Sequence, residues 1–174
     1  MFAGPNGSGK STAQGVLPPE LLGVYVNPDD LEAAARRDGT LDLSDYGVAA
    51  TGEEVRAYLT GSPFLQSVDL AGACAAVRVA DDVIDFGGLA VTSYHASVLS
   101  DFVRRKLLRA GVAFSFETVM SAPDKVELLK EARAAGYRTY LYLYCVRSLS
   151  LVDSVGGQAF PPPPVVEPGL LVPH

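Results

Sequence analysis

The sequence predicts an α/β domain with a mostly parallel central sheet. Short β-branched and aromatic runs alternate with amphipathic stretches along residues 1–146, which is typical of parallel strands joined by right-handed helical crossovers. A turn-rich stretch at about residues 38–92 interrupts this alternation and is predicted to be an insertion of helices and a hairpin. The chain has 174 residues, of which 48% are hydrophobic and 20% charged, so it can bury a core.

The strongest signal is a glycine-rich segment, Gly4-Pro5-Asn6-Gly7-Ser8-Gly9-Lys10-Ser11, followed by Thr12, which reads G-x-x-x-x-G-K-S. Glycines let backbone N–H groups approach phosphate oxygens, and the following helix adds its positive N-terminal dipole. In such a loop Lys10 reaches the β- and γ-phosphates, and the Ser11 hydroxyl ligates Mg²⁺. The motif predicts a site for ATP (or GTP) and Mg²⁺ at residues 4–12, and it narrows the fold to the three-layer P-loop NTPase sandwich.

The elements around this loop are short. Residues 1–3 are the stub of a strand that is central in such a domain, and strands usually run to about five or six residues. We therefore expect either a natural start several codons upstream or a slightly damaged domain. The next helix begins near Lys10 and ends before Pro18-Pro19, because proline breaks a helix.

A second strand is predicted over residues 24–26, and the acidic segment Asn27-Pro28-Asp29-Asp30 follows it. In an open α/β sheet, ligands bind beyond the carboxyl ends of the strands, where these acids lie. Asp29 or Asp30 therefore acts as a general base toward a substrate hydroxyl, or holds Mg²⁺ through water. The alternative is an N-cap for a helix over residues 31–37, and one acid can cap while its neighbour does chemistry.

The insertion contains three predicted elements. A helix over residues 53–59 starts with a capping box at Thr51, and a second helical stretch runs from Pro63 to Ala76. Apolar and polar residues then alternate on both sides of Asp81-Asp82, which predicts a β-hairpin with these acids in the turn rather than in a metal pair. The insertion is a candidate source of substrate contacts.

Strand and helix alternate again in the remaining part. A helix is predicted over residues 96–109, with His95 making local hydrogen bonds at its start, and a strand over residues 112–116. A further helix starts at residues 121–124, and residues 139–146 read as a buried strand. Glu117 and Thr118 end the 112–116 strand. Several roles are open for Glu117. In a functional role it orients Mg²⁺-bound water, receives a substrate hydroxyl or hydrogen-bonds a sugar. In a structural role it closes the strand or caps the next helix.

Composition argues against several classes of function. The net charge of −6 leaves no basic surface for nucleic acid, and the run Arg104-Arg105-Lys106 is predicted to be a solvated helix face. Cys74 and Cys145 stand in apolar surroundings and are expected to be reduced core residues. No apolar run reaches the roughly 18 residues of a membrane span. A cytoplasmic protein with no membrane or nucleic-acid partner is expected.

Residues 2–12, 25–31 and 93–146 together resemble the zeta-toxin-like P-loop kinases, in particular uncharacterised bacterial members. The resemblance rests on the glycine-rich segment, on Val26-Asn27-Pro28-Asp29, on Ser93-Tyr94-His95-Ala96, on Phe114-Ser115-Phe116-Glu117-Thr118-Val119-Met120-Ser121 with Lys125-Val126, and on Ala135-Gly136-Tyr137-Arg138-Thr139-Tyr140-Leu141-Tyr142. It implies ATP-dependent phosphorylation of a small molecule; well-known zeta toxins phosphorylate a UDP-amino sugar. Through the same resemblance, an antitoxin protein is a candidate partner.

The same resemblance implies individual roles. Asp29 matches the catalytic base, Glu117 and Thr118 match the substrate-side acid and its neighbour, and Lys10 and Ser11 match the phosphate and Mg²⁺ groups. These assignments divide the chain into a kinase-like domain over residues 1–146 and a tail over residues 147–174.

The chain departs from the family after Tyr144. Family members continue into an arginine-bearing helix, whereas here Arg147 is the last basic residue and a proline-rich, disordered tail is expected. The Gly156-Gly157-Gln158 remnant suggests a reading-frame change, and loss of a phosphoryl-stabilising arginine can cost about a thousandfold in rate. Three interpretations stay open: an active kinase, a nucleotide-binding or ATPase module without metabolite transfer, and an inactive truncated product.

Overall fold

The computed structural model describes residues 1–5, 7–10, 17–18, 22–119 and 124–144. Its main sheet has four parallel strands, which are β1 (Phe2–Ala3), β2 (Val24–Val26), β6 (Phe114–Thr118) and β7 (Tyr142–Leu143). Their order in the sheet is β2-β6-β1-β7. The prediction of an α/β domain with a parallel sheet is therefore confirmed.

The first strand is central, as predicted, although it has only two residues. Phe2 pairs with Glu117 on one side and with Tyr142 on the other. Both residues of β1 are fully buried, and the Phe2 ring stacks on that of Tyr142 at 5.3 Å between centroids. Burial on both faces and pairing on both edges hold this short strand in place.

Helices of the first half begin at capping residues. Helix α1 (Pro28–Asp38) has Asn27 as N-cap, proline in its first turn and Gly39 as C-cap in the left-handed conformation. Helix α2 (Gly52–Thr60) starts with the predicted capping box between Thr51 and Glu54. Helix α1 therefore starts three residues earlier, and α2 one residue earlier, than the apolar periodicity alone predicts.

The insertion forms a second, three-stranded antiparallel sheet with the order β3-β5-β4, made of β3 (Thr40–Asp42), β4 (Arg78–Ala80) and β5 (Val83–Asp85). Asp81 and Asp82 both have positive φ, 50° and 63°, which is the two-residue hairpin turn that the sequence predicts. The Asp82 carboxylate accepts a hydrogen bond from the backbone of Ala50, so it ties the turn to the loop before α2. Strand β3 was not predicted, because three residues are too few to show an alternation of apolar and polar side chains.

The helix predicted from Pro63 to Ala76 is wrong in its length. Helix α3 covers only Pro63–Ser67, and a short 3₁₀ helix covers Gly72–Ala76. Between them Asp69 takes the left-handed conformation with φ 57°, which ends an α-helix. Aspartate tolerates this conformation because its short polar side chain bonds locally, so a break without glycine or proline was not predicted.

Helix α4 (Ser93–Arg109) is the longest described helix and packs on α1, α2 and α3. Its apolar side enters a core of buried residues that also joins α1, α2 and the second sheet; members are Leu31, Leu59, Leu65, Cys74, Ile84, Leu99 and Val103. Cys74 is a buried free thiol, as expected, whereas Cys145 lies outside the described residues. A smaller cluster contains Met1, Ala3, Phe116 and Leu128, the last from helix α5 (Asp124–Ala134).

Two predicted strands differ from the observed ones. The strand predicted from residue 112 begins two residues later, at Phe114, and it ends in Glu117 and Thr118 as predicted. The prediction of a buried strand from residue 139 is wrong for its described part, because Tyr140, Leu141 and Leu143 are 58%, 52% and 65% exposed. Strand β7 pairs with β1 alone and stands at the edge of the described sheet. Residues 145–174, with the predicted tail, lie outside the described part.

No helix in the described ranges combines the length and the apolar character needed to cross a membrane.

His95 is buried at the start of α4 and makes the local hydrogen bonds that its position predicts. Its Nδ1 accepts from the backbone of Thr92 at 3.2 Å and lies 2.9 Å from the Thr92 hydroxyl, while its buried Nε2 has no partner in the part of the chain that the structure describes. Burial lowers the pKa of His95 below its ordinary value of 6.5, so the neutral ring is favoured in the folded protein.

We predict that stability falls as pH decreases below about 6.5, because the unfolded chain then binds a proton that the folded chain resists. Glutamine is the usual residue at this place in a capping box, so His95→Gln should keep the cap and remove this dependence. Thermal unfolding of both proteins between pH 5.5 and 7.5 measures it. Parallel pH profiles for wild type and His95→Gln would contradict the assignment to His95.

Candidate functional site

A cavity of about 1040 Å³ opens at the carboxyl ends of β2 and β6, beside the glycine-rich loop that follows β1. Its volume lies at the upper end of ordinary ligand cavities. Four of the residues singled out from the sequence line it together: Lys10, Asp29, Glu117 and Thr118. They come from three different segments, so the sheet brings together what the sequence separates.

The described part of the loop turns at glycines, and the Lys10 side chain hydrogen-bonds its carbonyl groups. Gly7 and Gly9 have positive φ, 75° and 84°, and no heavy atom of another described residue lies within 4 Å of where a Cβ would be. The buried ammonium of Lys10 donates to the carbonyls of Gly4 at 2.8 Å and Pro5 at 2.9 Å. The buried Ser8 hydroxyl has no hydrogen-bond partner among the described residues. Asn6, Ser11 and Thr12 lie outside the described residues.

Backbone hydrogen bonds fix the start of this loop on both sides. The Gly4 N–H donates to the Thr118 carbonyl at 3.1 Å, and the Tyr144 N–H donates to the Ala3 carbonyl at 2.7 Å. A Cβ on Gly4 would lie 2.4 Å from the Tyr144 carbonyl oxygen, and its φ of 156° also disfavours a side chain. The loop therefore leaves the sheet at a position that only glycine permits.

Asp29 is available for chemistry because a neighbour performs the capping. The Asn27 side chain accepts from the backbone N–H of Asp29 at 3.1 Å, so Asn27 is the N-cap of α1. The sequence left open whether an aspartate caps this helix; neither Asp29 nor Asp30 does. Asp29 lines the cavity, whereas Asp30 is exposed outside its lining.

A tyrosine positions Glu117. The Tyr25 hydroxyl, from the neighbouring strand β2, donates to Glu117 Oε1 at 2.7 Å. Burial, this hydrogen bond and the carboxylate charge raise the pKa of Tyr25, so the phenol stays protonated and remains a donor. One carboxylate oxygen of Glu117 is thus fixed, and the group keeps acceptor capacity for a ligand.

The far wall holds residues that sequence reasoning missed. Tyr58, Phe64, Asp101, Asp124 and Lys125 come from α2, α3, α4 and α5 and line the same cavity. Asp101 accepts from the Tyr58 hydroxyl at 2.6 Å and from Arg105 Nε at 2.9 Å. Burial opposes ionisation of Asp101, but the Tyr58 hydrogen bond and the arginine charges outweigh it and lower its pKa. The sequence carries one signal for these contacts: Asp101 lies three residues before Arg104 and four before Arg105, a spacing at which side chains of a helix form ion pairs.

Arg104 contradicts the prediction of a solvated helix face. Its side chain is fully buried, with its guanidinium 4.8 Å from the centre of the Phe116 ring and 3.5 Å from Asp101 Oδ1. None of its three nitrogens makes a hydrogen bond with a described residue. Burial lowers the pKa of Arg104, while the charge of Asp101 opposes this effect. Arg105 and Lys106 pair with Glu131 and Glu54, so this run supports the helix packing.

Among the described residues, no group of three or more His, Cys, Asp and Glu side chains is arranged to hold a metal ion. The predicted metal ligand Ser11 lies outside the described residues.

Comparisons with protein-family models, with curated proteins and with solved structures found no match.

We predict that Gly4→Ala destabilises the fold by about 1–3 kcal/mol, because the added Cβ must push Tyr144 away from β1 against a strained φ. Gly7→Ala is the matched control: it pays a strain cost of about 1 kcal/mol but meets no neighbour. Chemical denaturation of both variants measures the difference. Equal losses at the two positions would contradict the account of how the loop is anchored.

Proposed function

We propose that the chain binds ATP (or GTP) with Mg²⁺ at its glycine-rich loop and transfers the γ-phosphoryl group to a hydroxyl of a small molecule. The proposal includes the finer fold assignment, a P-loop NTPase sandwich, and the kinship with zeta-toxin-like kinases. One observation carries it: a single cavity is lined by the loop's Lys10 and by the strand-end carboxylates of Asp29 and Glu117. This joins a phosphate-binding group to candidate bases at the carboxyl ends of parallel strands.

The described part of the loop fits a phosphate chain. Open space above Gly7 and Gly9 lets phosphate oxygens approach the backbone, and the Ser8 hydroxyl is an unused buried polar group. Lys10 uses two of its three N–H donors on loop carbonyls and keeps one for phosphate. Ser11 would hold Mg²⁺, which when bound neutralises charge on the phosphates.

The chain's own residues then divide the work of transfer. Asp29 accepts the proton of the acceptor hydroxyl as the new oxygen–phosphorus bond forms and the bond from the γ-phosphorus to the ADP oxygen breaks. Glu117, positioned by Tyr25, accepts a hydrogen bond from a second group of the acceptor. Thr118 is the neighbouring substrate-side residue at the end of β6.

Lys10→Ala should weaken Mg-ATP binding by about 10- to 100-fold, because it removes a charge-assisted hydrogen bond to phosphate. Calorimetric titration of the full chain with a non-hydrolysable ATP analogue and Mg²⁺ measures this. Lys130→Ala is the matched control, since Lys130 is exposed on α5, lies outside the cavity lining and pairs with Glu127. Unchanged affinity in Lys10→Ala would remove the loop from the proposal.

Asp29→Asn should lower phosphoryl transfer by about 10²- to 10⁴-fold and leave nucleotide affinity unchanged, as expected for loss of a general base. The assay incubates protein, Mg-ATP and a metabolite pool, and detects a phosphorylated product by its mass shift. Asp30→Asn, one residue away and outside the cavity lining, should retain activity. A wild-type chain that binds nucleotide and modifies nothing would instead be a nucleotide-binding module.

A further inference from the structure

We propose that the acceptor is a ring-shaped polyol that carries a protonated amine and no phosphate. This inference rests on the proposed function and names the substrate class for the same cavity. Two observations carry it: the charges that line the acceptor side, and an aromatic pair at one wall.

The cavity contains two carboxylates that no described cation neutralises. Its lining has four acidic side chains, Asp29, Asp101, Glu117 and Asp124, and two lysines, Lys10 and Lys125. Asp101 is compensated by Arg104 and Arg105, and Asp124 by Lys125. Neither Asp29 nor Glu117 has an ion-pair partner among the described residues, although Tyr25 hydrogen-bonds Glu117.

The two lysines are already committed. Lys10 is held on the carbonyls of Gly4 and Pro5 at the loop end, where the donor's phosphates would lie. Lys125 pairs with Asp124. The chain segments outside the described residues contain a single Lys or Arg, Arg147. An acceptor with its own phosphates would therefore meet carboxylates without matching cations, whereas an ammonium group would pair with Glu117, the unpaired carboxylate that is not assigned to proton transfer.

An aromatic ring supplies the second observation. Phe64, from α3, lines the cavity and is 47% exposed, so part of its ring is open to a ligand. The Tyr94 ring, at the start of α4, supports it at 5.3 Å between centroids. A supported ring face accepts the apolar face of a saturated ring, and it also attracts a nearby cation. Stacking and carboxylate pairing together favour an amine-bearing cyclic polyol.

The test compares three probes with the full chain in the presence of Mg²⁺ and a non-hydrolysable ATP analogue. Glucosamine and glucose share one ring and differ by an amine, and UDP-glucose adds phosphates to that ring. Affinities are measured by ligand-observed NMR. We expect glucosamine to bind at least about tenfold more tightly than glucose, as charge-assisted hydrogen bonds do relative to neutral ones, with UDP-glucose the weakest.

Three variants test the preference. Glu117→Gln should reduce the glucosamine preference to less than about threefold, because it removes the charge and keeps an acceptor oxygen. Glu53→Gln, at an exposed position on α2 outside the cavity lining, should leave the preference unchanged. Phe64→Ala should weaken the binding of both glucosamine and glucose, because both sugars lose the ring on which they stack.

The outcomes separate this inference from the proposed function. Equal binding of glucose and glucosamine, tightest binding of UDP-glucose, or no binding of any probe overturns the inference. If UDP-glucose binds best and the nucleotide still binds at Lys10, the kinase proposal stands and the acceptor class is wrong. If the amine preference holds in a chain that binds no nucleotide, the acceptor class stands and the kinase proposal falls.

Discussion

The pairing of β1 with β6 determines where every group of the candidate site lies. Phe2 pairs with Glu117 and Ala3 with Thr118, so the chain leaves β1 into its glycine-rich loop at the level where β6 ends in two polar residues. Pairing of β6 with β2 brings Val26, and then Asp29 at the start of α1, to the same end of the sheet. A slip of one residue would turn Glu117 to the opposite face and separate it from Lys10.

The parts that the sequence predicts are those governed by local chemistry. Caps, the glycine-rich turn and the hairpin at Asp81 follow from residue types at short spacing, and the structure has all three. Apolar runs also predict the parallel sheet and the placing of Lys10, Asp29 and Glu117 at one end of it. Element lengths were harder to predict, because Asp69 ends a helix through a backbone conformation that aspartate adopts only occasionally.

The far wall of the cavity depends on long-range packing, which no single stretch of sequence reveals. Tyr58 and Asp101 meet across 43 positions of the chain, because α2 packs on α4. Arg104 shows the same limit: a basic run on a helix suggests a solvated face, yet Phe116 and Asp101 enclose this side chain. The resulting cavity has Lys10 on its loop and Asp29 and Glu117 beyond the ends of β2 and β6, so side chains of opposite charge face one space.

The central claim is that the loop after β1 and the ends of β2 and β6 form one ligand site. The most direct measurement is a map of backbone amide shifts in NMR spectra of the labelled chain, with and without Mg²⁺ and a non-hydrolysable ATP analogue. The account predicts large shifts at Gly7, Gly9 and Lys10, smaller ones at Asp29 and Thr118, and none at Ile84 in the second sheet. Shifts confined to residues outside the cavity, or none at the loop at saturating nucleotide, would contradict it.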